Sequence, residues 1–251
     1  MPIIERELNL NRIAIEDHSG DHLNGPVFRE TNEAHSADGR MSVYFDGLEH
    51  RLCELIDEAT CVFGCVAWLT SEAVLAALSK KNVVSIVVQK EDFLRPDFRP
   101  GRGWERRLRF LYQGLRCNLM RLDFSNRVGS LSVASDLTLD SVRCAGIYNH
   151  RRTTTAPRMH HKFLVFADFS EIHKIDGDGF EESIVQITPR TVWTGSFNLT
   201  RNATFSLENA VVLRDEAIAA AYFEEWAHIE SLSEPLDWQT EWSEPQWRIG
   251  T

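Results

Sequence analysis

Two short apolar runs constrain this chain more than any other feature: 62–69 (VFGCVAWL) and 83–88 (VVSIVV). Neither alternates polar with apolar residues, which is the pattern of a strand covered on both faces. Thr70-Ser71 makes a good helix N-cap between them, and the spacing predicts a helix over 72–80. A strand, a helix and a strand joined this tightly form a parallel pair with a right-handed crossover. The expected class is α/β, a mixed, largely parallel β-sheet flanked by helices.

The rest of the chain can be read around this unit. Leu48, Leu52, Leu55, Ile56 and Ala59 fall at helical spacing after Asp46-Gly47. Arg95 to Arg116 is arginine-rich, with Leu108, Leu111, Tyr112 and Leu115 on one helical face. Strands are expected near 117–122 and 145–148, then at 163–166, 192–194 and 210–213. Asp176-Gly177-Asp178-Gly179 marks a hairpin inserted between the third and fourth of these. An amphipathic helix follows over 216–232. This gives an irregular extension (1–40), a body (41–232) and an acidic, tryptophan-containing tail (233–251).

Charge is distributed unevenly. The net charge is −10, yet residues 61–204 hold 20 basic and 14 acidic side chains, while both ends are acidic. An acidic frame around a basic centre can steer a polyanion into one groove, and acidic ends can meet a protein partner. No run reaches the roughly 18 apolar residues of a membrane span, so a cytoplasmic protein without membrane attachment is expected. Five cysteines without a Cys-x-x-Cys pair suit a reducing compartment, and no ligand-like grouping assigns a metal or other cofactor.

The residues that carry chemistry lie beside the later strands. His160-His161-Lys162 precedes one, Gly195-Ser196-Phe197-Asn198 follows another, and Glu208-Asn209 precedes a third. Strand alternation puts His160 and Lys162 on one face and His161 on the other. An imidazole can attack phosphorus or carry a proton, while an ammonium holds a non-bridging oxygen. Gly195 would let backbone approach an anion, and Ser196 and Asn198 offer polar groups. A carboxylate would fix the histidine tautomer; Glu208 is the first candidate, with Asp215 and Glu216 as alternatives. Arg102, Arg106, Arg107, Arg109, Arg151, Arg152 and Arg158 are candidate nucleic-acid contacts, or equally a solvated face.

At these residues the chain resembles the phospholipase D superfamily, whose signature is His-x-Lys, four residues, Asp, then Gly-Ser-x-Asn, with a glutamate downstream. The resemblance spans about 41–232. Asp168 falls one position later than the family aspartate, which supports structure. The chain has one such signature, like the small endonuclease and the metal-independent restriction enzyme of the family. It therefore implies a homodimer with two copies of His160 facing each other, one attacking phosphorus and one protonating the leaving oxygen. The implied activity is a metal-independent nuclease, for DNA ahead of RNA, in a setting such as bacterial defence or restriction. A phospholipid phosphodiesterase and a regulated or structural subunit of a larger complex are the alternatives.

Overall fold

The computed structural model describes residues 33–95, 103–120, 139–148, 157–175 and 181–238. The described residues form an eight-stranded sheet in the order β1-β2-β8-β7-β6-β3-β4-β5. The strands are β1 (Glu33–His35), β2 (Met41–Tyr44), β3 (Cys61–Val66), β4 (Val83–Gln89), β5 (Val142–Ala145), β6 (Lys162–Ile175), β7 (Glu181–Gly195) and β8 (Ala210–Leu213). Four helices flank it: α1 (Leu48–Glu58), α2 (Glu72–Leu78), α3 (Gly103–Gln113) and α4 (Glu216–Ser231).

The two apolar runs become β3 and β4, paired in parallel from Cys61↔Val83 to Val66↔Val88, and every residue of both is buried. Ser71 caps α2 by accepting the Val74 N–H at 3.2 Å. The sheet is mixed, as expected, but it is not largely parallel. Only β3–β4 and β4–β5 run parallel; the five other pairings are antiparallel. One of these five comes from the segment expected to be an insertion. Its flanks extend the short strands at 163–166 and 192–194 into one long hairpin, β6–β7, and hairpins are antiparallel.

Three further expectations change. Glu33–His35 and Met41–Tyr44 add two strands at the edge, where β2 pairs with β8, so the sheet begins inside the segment read as irregular. The strand near 145–148 lies at 142–145, and Cys117 makes only an isolated bridge to Val83. Residues 233–238, read as the start of a tail, belong to the body. Cys144 and Glu234 exchange backbone hydrogen bonds, and Trp238 is buried against Tyr148. Trp242 and Trp247 lie outside the described residues.

The sheet separates two cores. One face packs Leu52 and Ile56 of α1 and Val74 and Leu78 of α2 over Val62, Val84 and Trp193. The other packs α4 over β3, with Phe63 5.0 Å from Phe223 and 4.6 Å from Trp226 between ring centres. Two buried cations are paired. Arg143, fully buried, bonds Ser233 and Asp140 and faces Glu230, and Lys90 pairs with Glu234. All five cysteines are free; burial raises the thiols of Cys61 and Cys144 to about 12.

Gly64 stands opposite Leu164 where β3 pairs with β6. A Cβ there would collide with the Phe163 carbonyl and sit 2.6 Å from Leu164 Cδ2. Gly64→Ala should therefore cost about 1–3 kcal/mol, as overpacked sites do. A urea midpoint equal to that of the parent protein would show that the strands separate freely.

Candidate active site

Three pairings bring distant segments to one end of the sheet. Phe163 stands opposite Thr194, so His160 and Lys162 at the start of β6 meet the loop that leaves β7 at Gly195. Ala210 stands opposite Gly195, which delivers Glu208-Asn209 to the same end. The segment after β3 ties these together. Ala67 N–H donates to His161 O at 2.8 Å, and the N–H groups of Thr70 and Ser71 both donate to Leu199 O. Phe197 and Leu199 are buried and anchor the loop that carries Ser196 and Asn198.

Gly195 is required for a reason other than the expected one. A Cβ there would collide with the Asn209 carbonyl and lie 2.8 Å from Ala210 Cα, at a φ of 154°. The glycine thus lets β7 and β8 close at this end; its role is strand packing, and no approach to an anion is needed to account for it.

Lys162 Nζ lies 3.2 Å from His160 Nδ1 and 3.4 Å from Nε2. An ammonium only donates, so this contact favours a neutral ring with an acceptor nitrogen. Partial burial comes first, and the positive charges of Lys162 and Arg158 add to it; together they hold the His160 imidazole below its ordinary value of 6.5. Burial also lowers Lys162, against the opposing pull of Glu208. Ser196 Oγ donates to the Glu208 carboxylate and accepts the Asn209 N–H at 3.1 Å. Its hydroxyl proton is therefore committed to Glu208. Asn198 sits on the same loop, its buried Oδ1 without a hydrogen-bond partner among the described residues.

Glu208 separates from its alternatives. Asp215 caps α4 by accepting the Ala217 and Ile218 N–H groups, and Glu216 pairs with Arg190. Asp168 lies six residues beyond Lys162, about 20 Å along an extended strand. It pairs with Arg190 at 2.8 Å. A bulge between Phe166 and Ala167 leaves Arg190 as the extra residue of β7, which positions it for that pair. His161, on the opposite face, lies 3.4 Å from Glu225.

The arginines divide. Arg158 is close enough to His160 to depress its proton affinity, and it faces Glu91 at 3.7 Å. Arg106 is exposed, Arg107 pairs with Glu72 at 2.6 Å, and Arg109 donates to the Arg95 carbonyl, so the last two are engaged within the chain. Arg102, Arg151 and Arg152 lie outside the described residues.

The sequence reading overlooked Gln89 and Trp68. Gln89 Oε1 accepts the Met159 N–H at 2.7 Å, one residue before His160, and its Nε2 donates to Lys90 O at 3.0 Å. A lone amide closing the buried run of β4 was the available signal. Trp68 stands 5.9 Å from His160 between ring centres. Among the described residues, no group of three or more His, Cys, Asp or Glu is arranged to hold a metal ion. None of their helices is long and apolar enough to cross a membrane.

A family model described as "Cardiolipin synthase, PLD-like domain" matches residues 52–229, most of the chain and every motif residue above. The chain belongs to the phospholipase D-like superfamily of phosphodiesterases. It is 33% identical over 217 residues to uncharacterized protein L381 of Acanthamoeba polyphaga mimivirus, covering 81% of this chain and 70% of that one. Among solved structures, Nuc of Salmonella typhimurium, a phospholipase D family member, aligns at 17% identity and TM-score 0.40, over 80% of this chain and 98% of its own. NucT from Helicobacter pylori aligns at 12% and 0.43, over 78% and 98%.

The charge environment of His160 sets a checkable value. Arg158→Ala removes one positive neighbour and should raise the His160 pKa, as followed by imidazole resonances in a pH titration. An unmoved or lowered value would show that Arg158 does not act on this ring.

Proposed function

We infer that the protein is a metal-independent phosphodiesterase that cleaves nucleic acid, DNA ahead of RNA, through a phosphohistidine intermediate. The observation that carries this reading is the contact of Lys162 with a depressed, neutral His160, beside Glu208. A neutral imidazole has a lone pair to attack phosphorus. The P–N bond forms as the P–O bond to the leaving oxygen breaks. The Lys162 ammonium balances charge on a non-bridging oxygen. Water then attacks the phosphohistidine, releasing the phosphate end and restoring the ring.

The leaving oxygen needs a proton, and one chain supplies one such histidine. A symmetric homodimer that holds one proton between its two copies of His160 provides the second: one copy is neutral and attacks, the other is the imidazolium, which gives its proton to the leaving oxygen and then takes one from water. Asn198, on the loop after β7, and Arg158, whose charge acts on His160, would bind phosphate oxygens around this centre. Ser196 serves to hold Glu208. The basic middle of the chain supports a polyanionic substrate. Phospholipid is the competing class, and the matched family model carries that association in its description.

Incubation with DNA, RNA and phospholipid vesicles in excess chelator separates these readings. Cleavage of nucleic acid is expected, and lipid turnover alone would overturn it. His160→Ala should abolish turnover with the fold intact. Lys162→Met should lower it by roughly 3–4 kcal/mol of transition-state stabilisation. Near-normal rates in either variant would displace that residue from the chemistry.

In mixtures of wild-type and excess His160→Ala chains, activity should fall beyond simple dilution once subunits exchange. Activity proportional to the wild-type fraction would defeat the shared site.

A further inference from the structure

The rim of the site carries aromatic surface that phosphoryl transfer does not use. Trp68 follows Ala67, whose N–H is tied to His161 O, and its half-buried indole lies nearly perpendicular to the His160 ring, at 87°. The one polar atom of the indole is occupied: Nε1–H donates to Glu91 Oε1 at 3.3 Å. Arg158 approaches the same carboxylate oxygen at 3.7 Å. Glu91 therefore pins both the indole edge and a cation beside the catalytic histidine. Two residues further on, Phe93 lies 5.5 Å from Trp104 between ring centres, and Trp104 remains 46% exposed at the start of α3. Phe93 and Trp104 form a second aromatic pair, and Phe93 also packs against the core.

An indole held beside the histidine suits one ligand better than others. Aromatic faces stack on bases, and every base has a π-face, so the contact tolerates any sequence. A base inside a duplex has its faces covered by its neighbours and presents only its edges in the grooves. The head group of a phospholipid offers no flat ring to stack.

We propose that Trp68 is a stacking platform for an unpaired nucleobase next to the scissile phosphate. The preferred substrate is then single-stranded or locally opened nucleic acid. Glu91 fixes the platform, and Arg158 lies beside it to meet the adjoining phosphate. The proposal rests on the nucleic-acid reading above and specifies which form of the polymer enters.

The test compares a short single-stranded DNA with the same strand carrying abasic residues around the cleaved bond, and with its duplex. For the wild-type protein, KM should be about tenfold higher on the abasic strand, the scale of one lost base stack, with kcat little changed. Duplex should be cleaved less efficiently than the intact single strand. Trp68→Ala should erase the difference between intact and abasic strands, and Trp68→Phe, which keeps a ring face, should restore most of it. Equal KM values for the intact and abasic strands would overturn the platform, as would preference for duplex, and both leave the nuclease reading standing. If wild-type protein cleaves no nucleic acid at all, both fall together. The wild-type comparison decides the matter even if Trp68→Ala does not fold.

Discussion

The antiparallel pairing of β6 with β7 is the constraint on which the rest of the structure depends. His160 and Asn198 are far apart in the chain, and the hairpin returns the second to the end of the sheet where the first begins. Register makes the match exact to the residue, because a slip by one would turn Lys162 to the face that His161 occupies. That face is committed elsewhere: His161 meets Glu225 and Phe163, and α4 covers β3 beneath them. The hydrophobic pattern of β6 thus fixes which of two adjacent histidines faces Lys162.

Electrostatics at this end follow from what the fold brings together. A histidine placed beside a lysine and an arginine, and partly withdrawn from water, loses proton affinity. Glu208 acts in the other direction on Lys162, and Ser196 and the Asn209 N–H hold the carboxylate arrangement in place. The two halves of the site are therefore coupled. Glu208 opposes the effect of burial on the lysine, and burial, with the lysine adding to it, lowers the proton affinity of the imidazole.

A second layer holds the first. Gln89 secures the Met159 amide just before His160, and Lys90, its neighbour, is buried against Glu234 and over the Trp238 ring at 4.7 Å. Residues 233–238 thereby close the side of the sheet on which the catalytic strand is anchored. Buried charge of this kind adds little net stability, but removing one partner leaves the other unpaired at high cost. These contacts are better read as fixing one arrangement than as strengthening the fold.

Much of this was legible in the chain itself. The buried runs at 62–69 and 83–88, the Ser71 cap, the strand at 210–213 and the helix from 216 follow from periodicity and capping, because each is local. So does the expectation that His160 and Lys162 share a face, since alternation is a property of any strand. What tertiary structure alone decided depends on partners distant in sequence. The edge strands at 33–35 and 41–44 are too short to announce themselves; β8 offers an edge to the second, and the second offers one to the first. The sheet is chiefly antiparallel because β1–β2, β2–β8, β8–β7 and β6–β3 pair in that sense as well as the central hairpin. Gly195 is needed for the closeness of β8, Ser196 is spent on Glu208, and Trp68 and Gln89 matter only through what they stand beside. Sequence specifies the character of each segment; which side chains meet is settled by pairing register and close packing, which no single segment contains.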